Sequence, residues 1–79
     1  MKNQGKQLTL VSFGQRIKEL RLGRSISQEE LADVAGVHRT YIGMIERGEK
    51  NITLLTMLKL AKALDVTLCD LVKEFKSGK

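Results

Sequence analysis

The chain predicts an all-α domain built from five short helices, and three observations carry that prediction. Apolar residues recur every three or four positions in separate stretches along the sequence. Ser27 with Glu30, and Thr67 with Asp70, each place a hydroxyl three residues ahead of an acid, the spacing at which both side chains satisfy free backbone N–H groups at a helix start. Gly23, Gly36 and Gly48 stand where such stretches end.

Residues 1–8 are polar and contain Gly5, so a loose N-terminal arm is expected there. From Ser12, the set Leu10, Phe13, Ile17 and Leu20 forms the stripe of an amphipathic helix, with Gln15, Arg16, Lys18 and Glu19 on its other side and Gly23 at its end. Helix two starts at Gln28, buries Leu31, Ala32 and Ala35, and stops at Gly36, where a positive φ turns the chain sharply. Val37 opens a third helix with Tyr41, Ile42 and Ile45 as its apolar stripe and Arg47 before the terminating Gly48. Thr53 caps a fourth. Its Leu54, Leu55, Met57, Leu58, Leu60, Ala61 and Leu64 are apolar around most of the circumference, which predicts a buried core helix. Asp65-Val66 turns the chain, and a fifth helix capped by Thr67 and Asp70 offers Leu68, Leu71, Val72 and Phe75. The whole chain, residues 1–79, is expected to be one domain with its packed part at about 12–76.

Composition limits the function classes. A chain of 79 residues buries only about 60% of its unfolded surface, so association is expected to support a small core. One cysteine, Cys69, and one histidine, His38, give neither a disulfide nor metal-ligand spacing, and a reducing, cytoplasmic setting fits. Cys69 is expected to be a small buried residue and not a redox switch. No metal or cofactor is called for, and no catalytic set can be assembled, so an enzyme is the least favoured class. The N-terminus lacks the apolar run of a signal peptide, and no eighteen consecutive residues are apolar, so no membrane partner is expected. The net charge of +5 and pI near 9.7 favour a polyanion. Aromatics are only 4%, which leaves no row of stacking platforms for single strands, so double-stranded DNA is the better partner.

Helices two and three, joined by a glycine turn, have the form of a helix-turn-helix, in which the second helix enters a DNA major groove. The series Gln28, Leu31, Ala32, Gly36, Val37, Tyr41, Ile42, Ile45, Glu46, Gly48 resembles the signature of the phage-repressor-like (XRE/Cro type) helix-turn-helix family, and the run from His38 through Asn51 to Thr53 is similar to its short restriction–modification controller proteins. The likeness spans roughly residues 12–72 and implies a five-helix, lambda-repressor-like domain working as a homodimer. It implies an ion pair between Arg21 and Glu46 that ties helix one to the recognition helix, and a phosphate contact from Gln28. Where relatives carry proline at the position of Ile52, controller proteins more often carry an aliphatic residue.

The outward side of helix three gives Arg39, Thr40, Gly43 and Met44 as base readers. Arg39 can donate two parallel hydrogen bonds to guanine, Thr40 can meet a thymine methyl, Gly43 lets the backbone approach closely, and Met44 offers apolar contact alone. Gln28, His38, Tyr41, Arg47, Lys50 and Asn51 are the expected phosphate contacts, with capping as a second role for His38. Leu68, Leu71, Val72 and Phe75 are the expected dimer surface, although all but Phe75 could equally close the monomer core. A twofold dimer would set its reading helices about 34 Å apart, one turn of DNA. The expected function is a dimeric, sequence-specific transcriptional regulator acting by operator occupancy. The resemblance implies activation at one operator and repression at a neighbouring one as protein accumulates, with two dimers on adjacent sites. RNA polymerase is a further candidate partner through a flank bearing Glu46 or Glu49. The competing reading is an antitoxin-type or phage-type repressor whose main task is to bind a protein partner.

Overall fold

The computed structural model describes the backbone of residues 4–72 and the side chains of residues 8–72. Five helices run in the order α1 (Gln4–Gly23), α2 (Gln28–Ala35), α3 (Arg39–Glu46), α4 (Leu54–Ala63) and α5 (Leu68–Val72). The expected arm is shortened. Helix α1 begins at Gln4, some two turns before the apolar stripe, because Lys6, Gln7 and Leu8 are all good helix formers and Gly5 alone opposes them.

Each later helix starts on a side-chain cap. Ser27 Oγ accepts from Glu30 N while Glu30 Oε1 accepts from Ser27 N, a complete capping box. His38 Nδ1 accepts from Thr40 N at 3.2 Å, and Thr53 Oγ1 accepts from Thr56 N at the same distance. Thr67 and Asp70 repeat the box on α5. Gly36 and Gly48, both at φ +75°, close α2 and α3 in the left-handed region, as their positions predicted. At the ends of α1 and α4 the left-handed residue is instead Ser25 (φ 59°) or Asp65 (φ 58°). Gly23 thus sits in the last turn of α1, two residues ahead of the residue that makes the turn.

The core gathers Phe13 and Ile17 from α1, Leu31, Ala32 and Ala35 from α2, Ile42 and Ile45 from α3, Leu60, Ala61 and Leu64 from α4 and its cap, and Leu71 from α5. Helix α1 packs on α3 at close range. A Cβ on Gly14 would lie 2.2 Å from the Ile45 carbonyl oxygen and 2.8 Å from that of Glu46, so a bare backbone is what lets the two helices meet. Arg16 Nε donates to the Asp70 carbonyl at 3.0 Å and fastens α5 to α1.

Two expectations about burial fail. Helix α4 is not buried all round: Leu54, Leu55 and Leu58 are 56%, 71% and 45% exposed, because α2 and α5 cover only the side carrying Leu60 and Ala61. Cys69 is exposed, since at position two of the short α5 it points away from the Leu71 side. Phe75 lies outside the described residues. No described helix is long and apolar enough to cross a membrane.

Candidate nucleic-acid interface

The angle between α1 and α3 is held by a buried charge network. Glu46 Oε2 accepts from Arg21 Nε at 2.7 Å, and Glu46 Oε1 accepts from Arg21 Nη2 at 3.0 Å and Gln28 Nε2 at 2.9 Å. Arg21 Nη1 donates to the Ile26 carbonyl at 2.9 Å. The two charged side chains are 9% and 3% exposed, so this is a desolvated pair whose donors and acceptors are satisfied from three sides, the condition under which a buried ion pair persists. The hydrogen bonds Arg21 donates to Glu46 hold its pKa above the ordinary value. Glu46 is therefore committed inside and cannot serve on an activating flank. The pairing of Arg21 with Glu46 matches the expectation drawn from family likeness. The share taken by Gln28 was not foreseen, because glutamine at a helix start reads equally well as a helix former.

Beside this network, the first turn of α2 and the outer face of α3 bound an open groove of about 480 Å³ lined by Arg21, Ser27, Gln28, Glu29, Arg39, Thr40, Gly43 and Arg47. Arg39 and Thr40 are exposed at the head of α3, and the Arg39 Nη1 lies 3.6 Å from Glu29 Oε1 with both side chains largely in solvent. Arg47, the C-cap of α3, reaches back toward the same groove. Two exposed arginines, Arg39 and Arg47, thus line one cleft whose third arginine, Arg21, is already committed to Glu46, a surface suited to an anion or to a guanine edge.

The remaining predicted residues divide. Lys50 and Asn51 are exposed in the loop after α3. His38 caps α3 through Nδ1, so that nitrogen is occupied in the free protein. Tyr41 is half-buried against the core, and Met44 is half-buried on α3. Gly43 lines the groove but is not exposed in it, although its position on the outward arc suggested exposure. It is buried, with Arg47 Nη1 3.1 Å and Gln28 Oε1 3.6 Å from where its Cβ would stand. Gln28 and Arg47 cover it because a glycine leaves a shallow seat on the helix that longer side chains fill. On α5, Val72 is exposed and Leu68 half-buried, whereas Leu71 is fully enclosed in the monomer core and cannot meet a partner. Gly14 was missed, although a glycine inside an amphipathic stripe is itself a signal of close backbone approach.

Residues 17–71, which contain the network, the groove and the whole of α2, α3 and α4, match the helix-turn-helix family model. The chain belongs to the helix-turn-helix family. Among its relatives in the family, it is 48% identical over 61 residues to the control protein C.BamHI of Bacillus amyloliquefaciens, covering 76% of this chain and 75% of that one. It is 50% identical to the crystal structure of the restriction–modification controller protein C.AhdI from Aeromonas hydrophila, with a TM-score of 0.78 over 78% of this chain and 94% of that one. The biofilm master regulator SinR, solved in complex with DNA, is 37% identical with a TM-score of 0.73, covering 77% of this chain and 98% of that one. The chain is thus a helix-turn-helix transcription regulator that binds DNA, and its relatives include restriction–modification controllers.

Proposed function

We propose that this regulator is a restriction–modification controller protein that binds a palindromic operator as a homodimer, in the cytoplasm, and acts by operator occupancy and not by chemistry. The observation that carries this is the groove in which Arg39, Thr40 and Arg47 of the α3 side converge beside the first turn of α2. Arg39 and Thr40 read base edges, and Lys50, Asn51 and the start of α2 meet phosphates on either side. Met44 adds apolar contact at the groove edge, and Gly43 contributes by what it lets lie over it.

The dimer surface we assign to the exposed Leu54, Leu55 and Leu58 of α4. Positions 54, 55 and 58 share one side of α4, and contiguous apolar exposure on a small domain marks an interface. Coupling of dimerisation to binding then makes occupancy depend steeply on protein concentration, which is how one protein can activate at one site and repress at an adjacent site when a second dimer loads. Contact with RNA polymerase falls to exposed residues of the loop after α3, since Glu46 is enclosed.

The test is selection of a randomised duplex library with the purified chain, sequencing of the retained fraction and a salt titration on the winner. A palindrome with half-sites one helical turn apart is the expected result. On that duplex Arg39→Ala should lose about 1–3 kcal/mol and relax the preference at one base pair, whereas Lys50→Ala should weaken binding to all sequences alike. Retention without any enriched sequence would leave only nonspecific polyanion binding and defeat the proposal.

A further inference from the structure

Glu49 lies just outside the helix-turn-helix and has no part in the DNA contacts proposed above, yet it holds one of the arginines of the groove. Arg47 Nε donates to Glu49 Oε2 at 2.9 Å and Arg47 Nη2 donates to Glu49 Oε1 at 3.2 Å, a side-on pair with two parallel bonds. The third nitrogen, Nη1, lies over α3, 3.1 Å from the point a Gly43 Cβ would occupy, and Gln28 Oε1 is 3.6 Å from the same point. The guanidinium is therefore fixed by one edge while its far edge rests on bare helix inside the groove. A side chain at position 43 would crowd it and oblige it to give way slightly. The pair also shows in the proton equilibria, with Glu49 held below and Arg47 above its ordinary value by their mutual hydrogen bonds. The other ion pair at the groove, Arg39 with Glu29, is 3.6 Å apart and imposes no such geometry.

We infer that Glu49 is a positioning residue that sets DNA specificity, by presenting the free edge of Arg47 to bases and by keeping that arginine from the nearest phosphate. The inference rests on the reading of α3 as the base-contacting helix. On an arbitrary duplex, Arg47 can reach a phosphate only by giving up two charge-assisted bonds, and the released Glu49 carboxylate then stands beside the DNA backbone. Exchange of one anion for another gains little, so nonspecific binding is held down. At the operator the pair stays intact. The Nη1 side already points into the groove and finds its acceptor without reordering, so the entropy of fixing a long side chain is spent in the free protein.

The experiment compares Glu49→Gln with the wild-type chain on the duplex selected from the random library and on a shuffled duplex of the same composition, across a range of salt. Asp33→Asn, which removes one exposed acid from α2 away from the groove residues, controls for net charge. Glu49→Gln should bind the shuffled duplex about three- to tenfold more tightly and the operator no more tightly, so the specificity ratio falls by roughly tenfold or less, while the salt slope on the shuffled duplex steepens by about one as Arg47 takes a phosphate. Asp33→Asn should leave the ratio unchanged. If Glu49→Gln strengthens both duplexes equally and matches Asp33→Asn, the effect is charge alone and the positioning role is overturned. A wild-type chain that does not distinguish the two duplexes would overturn the reading of α3 itself, and the role of Glu49 with it. Because both Arg47 and Glu49 are more than half exposed, thermal midpoints should match across the variants; a lowered midpoint for Glu49→Gln would make its role structural and count against the proposal.

Discussion

The Arg21 and Glu46 side chains are both enclosed, and their pairing decides what each can tolerate. Removing one partner leaves the other charge desolvated and unpaired, so Glu46→Ala should cost about 3–5 kcal/mol in urea unfolding. Replacing both, as Arg21→Met with Glu46→Leu, should cost clearly less than the sum of the single changes, because no charge remains buried. Additive losses in that cycle would mean the pair is not coupled. The sequence made this pair legible only through family likeness, since Arg21 and Glu46 stand far apart along the chain and each could read as a solvated charge. The exposure of Arg39 and Thr40 was legible from their arc on α3 alone. The enclosure of Gly43 was not, because periodicity tells which way a Cα faces and says nothing about a neighbouring arginine folding back over it.

The ends of the helices carry most of what could be read in advance, and one of them carries a strain that could not. Ser27, Thr53 and Thr67 cap as their spacing predicted, since a cap needs only a few consecutive residues and no tertiary partner. The start of α1 and the burial of α4 depend on what packs against them, and there the expectations moved: the arm became helix from Gln4, and the apolar α4 kept a face of leucines in solvent. Ser25 closes α1 at φ 59°, with its N–H bonded to the Leu22 carbonyl at 2.9 Å and the Ile26 N–H to the Arg21 carbonyl at 3.3 Å. This is the same closing pattern that Gly36 and Gly48 give to α2 and α3, but with a side chain crowding the carbonyl in the left-handed region. Ser25→Gly should therefore stabilise the domain by about 0.5–1 kcal/mol, the relief of that crowding less the greater entropy of an unfolded glycine. A thermal midpoint that falls on this change would show that the serine side chain contributes more than its backbone strain costs.

Assembly is where the exposed side of α4 has its consequence. Leu55 and Leu58 are 71% and 45% exposed, while Leu71 on the neighbouring α5 is fully buried. The same acidic substitution must therefore act in opposite ways at these sites. Leu71→Glu places a carboxylate in the monomer core and should unfold the chain, whatever its oligomeric state. Leu55→Glu with Leu58→Glu places carboxylates in water if the chain is alone, and inside an apolar contact if two copies meet there. The double variant should keep its helical circular dichroism, sediment as a monomer, and occupy a single half-site with far lower affinity than the wild-type dimer shows for the palindrome, because the linkage between the two half-sites is lost. Each leucine contributes about 1.5–3 kcal/mol when fully covered, so two per copy are enough to decide the equilibrium at the concentrations a regulator reaches. A folded double variant that still sediments as a dimer would move the twofold contact away from α4, to surface that neither Leu55 nor Leu58 touches, and the steep dependence of occupancy on concentration would then have to arise there.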